Sequence, residues 1–222
     1  DPQGDWSSDV CSSDLMKNNK NIFKENSKIN FNKKAESYDE SHDGKFVAPM
    51  YSEIISRIML IKPEKLLDVG CGTGNVLMKL VENNIELYGL DLSEKMIEVA
   101  KKNLDNRAEL RVGDSECMPW GNNTFDVIVC NASFHHYPNP EKTLVEMKRI
   151  LKFNGTLIIG DPTSPVVIRK IMNLYCKRSS SGDYKIYCKK EIEELLIKCG
   201  FKPSNFKKIN YKSFAINANI KK

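Results

Sequence analysis

An α/β fold with a mostly parallel sheet and one antiparallel strand is what this sequence predicts. Three observations carry the prediction. Leu66-Leu67-Asp68-Val69-Gly70-Cys71-Gly72-Thr73-Gly74 reads as a buried strand running into a glycine turn, with Val76, Leu77, Leu80 and Val81 on the apolar face of a following helix. From there to residue 200, short apolar runs alternate with amphipathic segments, the pattern of successive strand–helix–strand units. Two short apolar runs then close the chain with no helix between them, which turns one strand antiparallel.

The 222 residues are enough for one domain with a substantial core. The first fifteen do not fit the rest. Residues 4–15, Gly-Asp-Trp-Ser-Ser-Asp-Val-Cys-Ser-Ser-Asp-Leu, resemble the in-frame translation of a sequencing adapter. Met16 is therefore taken as the natural start, and residues 1–15 are expected to be disordered. They hold Asp1, Asp5, Asp9 and Asp14 and no Lys or Arg, so without them 34 basic residues face 25 acidic ones, and the net charge rises from +5 to +9. A basic balance can serve nucleic acid. Here the lysines are scattered, and no Arg-rich block or basic stripe with interleaved aromatics occurs, so nucleic acid is an alternative partner and not the favoured one. No signal-like or membrane-spanning apolar run occurs, which predicts a cytoplasmic protein without a membrane partner. Cys71, Cys117, Cys130, Cys176, Cys188 and Cys199 form no Cys-x-x-Cys pair and no Cys/His cluster with zinc spacing, which predicts reduced thiols and no metal.

Taken in order, residues 16–30 are rich in Lys and Asn and are expected to fray. Over 31–38, Phe31, Ala35 and Tyr38 share one helical face. That segment either packs on the domain edge or forms a lid with Tyr38 facing the pocket. A helix is predicted over 49–60 with Ile54, Ile55, Ile58 and Met59 inward, so 16–60 reads as an N-terminal helical segment and 61–222 as the main domain. A second strand, 85–90, ends at Asp91, and Ser93 is the better cap for the next helix, whose inner face is Ile97, Ala100 and Leu104. A third strand, 109–112, runs into Gly113-Asp114-Ser115. The fourth, 125–130, is apolar almost throughout, as a strand buried on both faces should be, and Asp126 near its start is read as structural. A helix over 140–151 turns Leu144, Met147, Ile150 and Leu151 inward, and Asn154-Gly155 turns into a fifth strand, 156–159. An insert follows near 163–188, with a helix over 166–176 and a Ser-rich, mobile stretch over 178–182. A helix over 189–198, with Ile192, Leu195 and Leu196 inward, stops at Gly200, and strands 206–209 and 213–218 finish the chain.

The glycine turn spells G-x-G-x-G, with Gly74 one place before the third glycine of the dinucleotide fingerprint. Asp68, just before the turn, would repel a pyrophosphate but suits a ligand with an ammonium and a sulfonium, which is S-adenosylmethionine. Gly70, Cys71, Gly72 and Gly74 form the backbone against that ligand, where missing Cβ atoms allow positive φ and close approach. Asp91 lies about twenty residues beyond the first glycine, where an acid reaches ribose hydroxyls; capping the next helix is its alternative role. Leu92 and Met96 pack either on the adenine or in the core. Asp114, with Ser115 beside it, either accepts from the adenine amino group or serves the turn. The loop Asn131-Ala132-Ser133-Phe134-His135-His136-Tyr137-Pro138 leaves the carboxyl end of a strand next to the central one, where ligands of open sheets bind. His135 and His136 read either as a general base or as residues that shape the loop by hydrogen bonding, and no third metal ligand stands near them.

These motifs together resemble the class I S-adenosylmethionine-dependent methyltransferases, in the small-molecule branch with the type 11 methyltransferase domain. Gly89-Leu90-Asp91-Leu92-Ser93, Gly113 to Trp120, Phe125 to Val129, Phe134-His135-His136 and the entry Phe-x-x-x-Ala-x-x-Tyr-Asp at Phe31 to Asp39 add to the glycine turn. The resemblance runs from Phe31 to the end, more loosely towards the end. It implies a Rossmann-like, seven-stranded sheet with the last strand inserted antiparallel and helices on both faces. It also implies methyl-donor contacts at Asp68, Gly70, Gly72, Asp91, Asp114 and Asn131. The expected activity is in-line transfer of a methyl group to a small-molecule acceptor, with His135, His136 and Tyr38 as catalytic candidates. An RNA-modifying enzyme and a non-catalytic donor-binding module are the alternatives. Neither the Asn-Pro-Pro-Tyr motif of amino-methylating DNA and glutamine enzymes nor the Pro-Cys nucleophile of cytosine-C5 enzymes is present.

Overall fold

In the computed structural model, which describes residues 7–176 and 182–221, the strands are β1 (Lys65–Val69), β2 (Glu86–Asp91), β3 (Glu109–Val112), β4 (Phe125–Asn131), β5 (Leu151–Pro162), β6 (Phe201–Lys208) and β7 (Ser213–Ile220). They form one seven-stranded sheet in the order β3-β2-β1-β4-β5-β7-β6. Pairing is parallel from β3 through β5. The link between β6 and β7 is too short for a crossover helix, so β7 returns antiparallel and slots between β5 and β6.

The helices are α1 (Ser7–Lys34), α2 (His42–Ile61), α3 (Asn75–Met78), α4 (Glu94–Leu104), α5 (Pro140–Ile150), α6 (Val166–Cys176) and α7 (Lys189–Lys198). Side chains alternate across the sheet, and both faces are covered. Leu67, Val69, Ile128, Leu157 and Ile159 pack with Leu144 and Met147 of α5 and Ile192 and Leu196 of α7. Leu66, Val127, Val129 and Ile158 pack on the other face with Ile54 and Ile58 of α2, Leu77 of α3 and Ile97 of α4. This is why the central strands read as continuous apolar runs. Ser93 Oγ accepts from the Met96 N–H at 3.0 Å and caps α4, and Asp126 is structural, accepting from the Lys65 N–H at 2.9 Å and pairing Lys152 at 2.8 Å.

Several elements differ from expectation. Residues 1–6, including Trp6, lie outside the described residues, but the backbone is helical from Ser7, inside the stretch expected to be disordered. Nor does 16–30 fray: α1 runs unbroken to Lys34. It is held by polar contacts that leave no apolar stripe to read, among them Lys28 to Glu94 at 2.6 Å and Ser93 Oγ to Asn32 Oδ1 at 2.6 Å. α2 begins at His42, capped by Ser41, so Pro49 lies inside it; Met59 is exposed, and Met50 takes an inward place. α3 is a single turn, yet Val76, Leu77 and Leu80 are buried as expected. β5 starts straight after α5, with Leu151 paired to Phe125, so Asn154-Gly155 lies within the strand and does not form the turn before it. β6 begins at Phe201 and carries Pro203, tolerated because β6 is an edge strand. Residues 178–181 of the Ser-rich stretch lie outside the described residues. The six cysteines from Cys71 to Cys199 are free thiols, and among the described residues no helix is long and apolar enough to cross a membrane.

Candidate active site

A cleft opens at the carboxyl ends of β1, β2 and β4. Its floor is the turn after β1. Gly70 and Cys71 N–H groups both donate to the Leu90 carbonyl, at 2.7 and 3.0 Å, tying the turn to β2. Gly70 has φ +75°, and a Cβ there would collide with the Ser133 side chain. Gly72 has φ +54°, and a Cβ there would meet nothing, because it faces the open cleft. Gly70→Ala is therefore expected to lower stability by roughly 1–3 kcal/mol. Gly72→Ala should cost about 1 kcal/mol, for the left-handed backbone alone, and act mainly on ligand affinity. Thermal melts of both variants check this; equal melting temperatures would refute the difference.

Two buried acceptors face the cleft without partners. Asp68 is 2% exposed and Asn131 8%, and Asp68 Oδ1 and Asn131 Oδ1 have no hydrogen-bond partner. Burial, and secondarily the Asp91 charge, push the Asp68 carboxyl up to about 8. Gly160 makes room for the Asn131 amide, since a Cβ there would lie 2.6 Å from Oδ1. Buried acceptors in this state call for a donor from a ligand.

Asp91 closes the turn. Its Oδ2 accepts from the Gly72 N–H at 2.9 Å and its Oδ1 from the Ser93 N–H at 2.8 Å, and each oxygen keeps a lone pair for a ligand. Burial raises its pKa, and the backbone donors oppose that shift. Leu92, Met96 and Ser115 line the cleft, with Met96 also buried in the core. Asp114 lines it too, but Lys24 of α1 reaches its Oδ2 at 2.6 Å and the Glu116 N–H its Oδ1 at 2.9 Å. Cys71 lines the cleft, and burial holds its thiol far above the ordinary range, so it is no nucleophile. Gly74 does not line it. Its position is fixed by packing, because a Cβ would lie 2.9 Å from Leu104 Cδ1.

The two histidines part company. His136 lines the cleft; His135 does not. His135 Nδ1 lies 2.9 Å from Asp161 Oδ1, and its Nε2 lies 3.5 Å from Asp183. Burial alone would lower its pKa, but Asp161 and Asp183 overcome that and raise it. His136 Nδ1–H donates to the Gly182 carbonyl at 2.9 Å, which leaves Nε2 with the lone pair. Burial and its neighbour His135 push it down to about 3, so the ring is neutral. Asp183, remote in sequence, brings a third ligand-type atom within 4.8 Å of both histidines, the partner that the sequence reading lacked. His135, His136 and Asp183 together could hold a small cation.

α1 lies over the cleft, contributing Lys24, Ser27, Lys28 and Phe31, with Tyr38 and Tyr51 beyond it. Phe31 meets the His136 ring edge-on at 5.0 Å between centroids. Tyr38 is a lining residue, and burial raises its hydroxyl so that it stays protonated, a hydrogen-bond donor and not a base. Asp39 accepts from Thr73 Oγ1 at 2.9 Å and Asn75 Nδ2 at 2.6 Å, fastening this segment to the glycine turn. Lys24 and Tyr51 carried no local signal. Asp39 did, as the last residue of the Phe31–Asp39 motif.

A family model described as a methyltransferase domain matches residues 67–159. The chain is 34% identical over 146 residues to a Thermotoga maritima protein named demethylmenaquinone methyltransferase, covering 60% of this chain and 63% of that protein, less than two thirds of its length. It is 33% identical over 171 residues to a protein of the same name from Staphylococcus haemolyticus, covering 68% of this chain and 71% of that one. Among solved structures, a SAM-dependent methyltransferase from Aquifex aeolicus shares the fold, with a TM-score of 0.62 and 22% identity over 79% of this chain and 95% of that one.

Proposed function

The chain belongs to the S-adenosylmethionine-dependent methyltransferases, and from that membership we propose that it methylates a small-molecule acceptor in the cleft beneath α1. The observation that carries the reading is the pair of orphaned acceptors, Asp68 Oδ1 and Asn131 Oδ1, beside the glycine turn. They fit S-adenosylmethionine, whose ammonium has N–H donors to spare. Asp91, with a lone pair left on each oxygen, would hold the ribose hydroxyls, and the open side of Gly72 leaves room for the ligand. Leu92 and Met96 would flank the adenine.

Bound S-adenosylmethionine supplies an activated methyl group on a sulfonium, so no covalent nucleophile is needed. The chain's task is then alignment and exclusion of water. α1 covers the cleft, and Phe31, Tyr38 and His136 line it. A neutral His136, its Nδ1–H spent on Gly182, offers Nε2 to accept a hydrogen bond from the methyl acceptor and orient it; pushed down to about 3, it is too weak a base to hold the acceptor's proton. The names of the Thermotoga and Staphylococcus relatives make demethylmenaquinone the first acceptor to try.

Calorimetry with S-adenosylhomocysteine should show binding; none would refute the reading. Labelled donor with a panel of small acceptors, demethylmenaquinone among them, then tests transfer. His136→Ala should leave S-adenosylhomocysteine affinity unchanged and lower turnover by up to roughly a hundredfold through lost alignment of the acceptor. Unchanged turnover would take His136 out of the chemistry. His135→Ala should instead act on stability, because it removes the imidazole from the buried Asp161 and leaves it only the His135 backbone N–H.

A further inference from the structure

α6 is inverted relative to an ordinary surface helix. Arg169, Asn173 and Cys176 face the protein, and Lys170 alone of its charged residues is exposed. Arg169 and Cys176 are buried, and Asn173 both donates to the Ile186 carbonyl at 3.0 Å and accepts from the Ile186 N–H at 2.8 Å. Arg169 also reaches Glu191 at 3.3 Å. The outer face holds Val167, Ile168, Ile171, Met172, Leu174 and Tyr175, each between 40% and 73% exposed. At 3.6 residues per turn these six fill one continuous arc of about 160°. Scattered apolar side chains are normal on a surface, but a contiguous apolar face marks a site of interaction. The orientation is fixed, because rolling the helix to bury the six would break the Asn173 and Arg169 contacts.

We propose that this face lies in the surface of an anionic lipid bilayer, with α6 parallel to the membrane plane. The charge pattern selects this occupant. Between Thr163 and Gly182 the sequence holds Arg169, Lys170, Lys177 and Arg178 and no Asp or Glu. Lys170 is exposed on α6, whose sequence contains no acid. An apolar face bordered by an exposed lysine, on a helix without an acid, is the pattern of an interfacial helix on anionic headgroups. A second copy of this chain would bring two Lys170 ammonium groups to one interface with no acid on α6 to pair them. Eleven residues reach only about 16 Å, against a hydrocarbon core of about 30 Å, so α6 lies on the bilayer and does not span it.

The face is joined to the cleft. The segment after α6 returns to the histidine loop, where the Tyr184 and Lys185 N–H groups donate to the His135 carbonyl at 2.8 and 3.0 Å. An apolar acceptor dissolved in the bilayer would thus meet the cleft near the membrane surface. That consequence rests on the proposed methyl transfer; the docking itself does not.

The test is cosedimentation of the full chain with vesicles of phosphatidylcholine alone or mixed with phosphatidylglycerol. Binding should favour the mixed vesicles, weaken with salt, and fall at least about tenfold in the double variant Ile171→Asp, Leu174→Asp. Both positions are exposed, so the variant should keep its melting temperature and its S-adenosylhomocysteine affinity. No sedimentation with either vesicle, or equal binding by variant and wild type, overturns the proposal. So does self-association in the ultracentrifuge that the double variant abolishes, because a second copy would then cover the face. Loss of donor binding in both proteins would remove the methyltransferase reading and leave the lipid result standing.

Discussion

Replacing Asp91 with Ala is expected to weaken S-adenosylhomocysteine binding by about a hundredfold or more. A hydrogen bond to a charged group contributes about 1.5–3 kcal/mol, and the carboxylate has one remaining acceptor site per oxygen for the two ribose hydroxyls. The loss has a second source. Without the carboxylate, the Gly72 and Ser93 N–H groups lose their acceptors, and the glycine turn loses its tie to the start of α4. Asp91→Asn separates the two contributions. One oxygen remains, so one backbone donor stays satisfied, and the affinity loss should be intermediate. Calorimetry on both variants, with thermal melts alongside, reads the result. An Ala variant that binds like wild type would mean that Asp91 only caps the turn.

The central sheet was legible because its signals are local. β1, β2 and β4 are buried on both faces, so each reads as an apolar run ending at a polar residue. The acids stand at two of those ends: Asp68 two residues before the glycine turn, and Asp91 nineteen residues after Gly72, whose N–H it accepts from. Edges were harder. β6 carries Lys202, Pro203 and Ser204 because only one strand pairs with it. α1 is held by Lys24, Lys28 and Asn32 reaching acids and a hydroxyl far along the chain, and no periodicity records such contacts.

Within the site, the unread information was direction. His135 and His136 are neighbours in sequence, yet one turns to Asp161 and the other to the cleft. The positive φ of Ala132 and the short 3-10 turn at Phe134–His136 set that choice, and nothing in the residue types announces either. Gly74 sits in the same motif as Gly70 and Gly72 but answers to Leu104, a packing partner thirty residues on. α6 has an apolar stripe that would ordinarily point inward. Asn173 and Arg169 reverse it through partners at Ile186 and Glu191.

The second large effect is on pH. In the free protein the Asp68 carboxyl is pushed up to about 8 by burial and by Asp91. A raised carboxyl pKa stabilises the fold most fully below the unfolded value, near 4, and that contribution is lost as pH rises through about 8. Asp68→Asn should therefore melt close to wild type at pH 5 and above it at pH 8.5. Donor binding runs the other way, because an ammonium favours the ionised carboxylate. Below pH 8, wild type must release a proton from Asp68 to bind, so affinity should rise about tenfold per pH unit between pH 6 and 7.5, where the ligand ammonium stays protonated. Calorimetry in buffers of different ionisation enthalpy should count close to one proton released per S-adenosylhomocysteine at pH 6.5. In Asp68→Asn the profile should be flat, the proton count near zero, and the affinity below that of wild type by a margin that widens with pH. A sloped profile in the variant would assign the proton to another group, such as His135. A flat profile in wild type would mean that Asp68 is already ionised before the ligand arrives, and that its missing partner is not the ligand's ammonium.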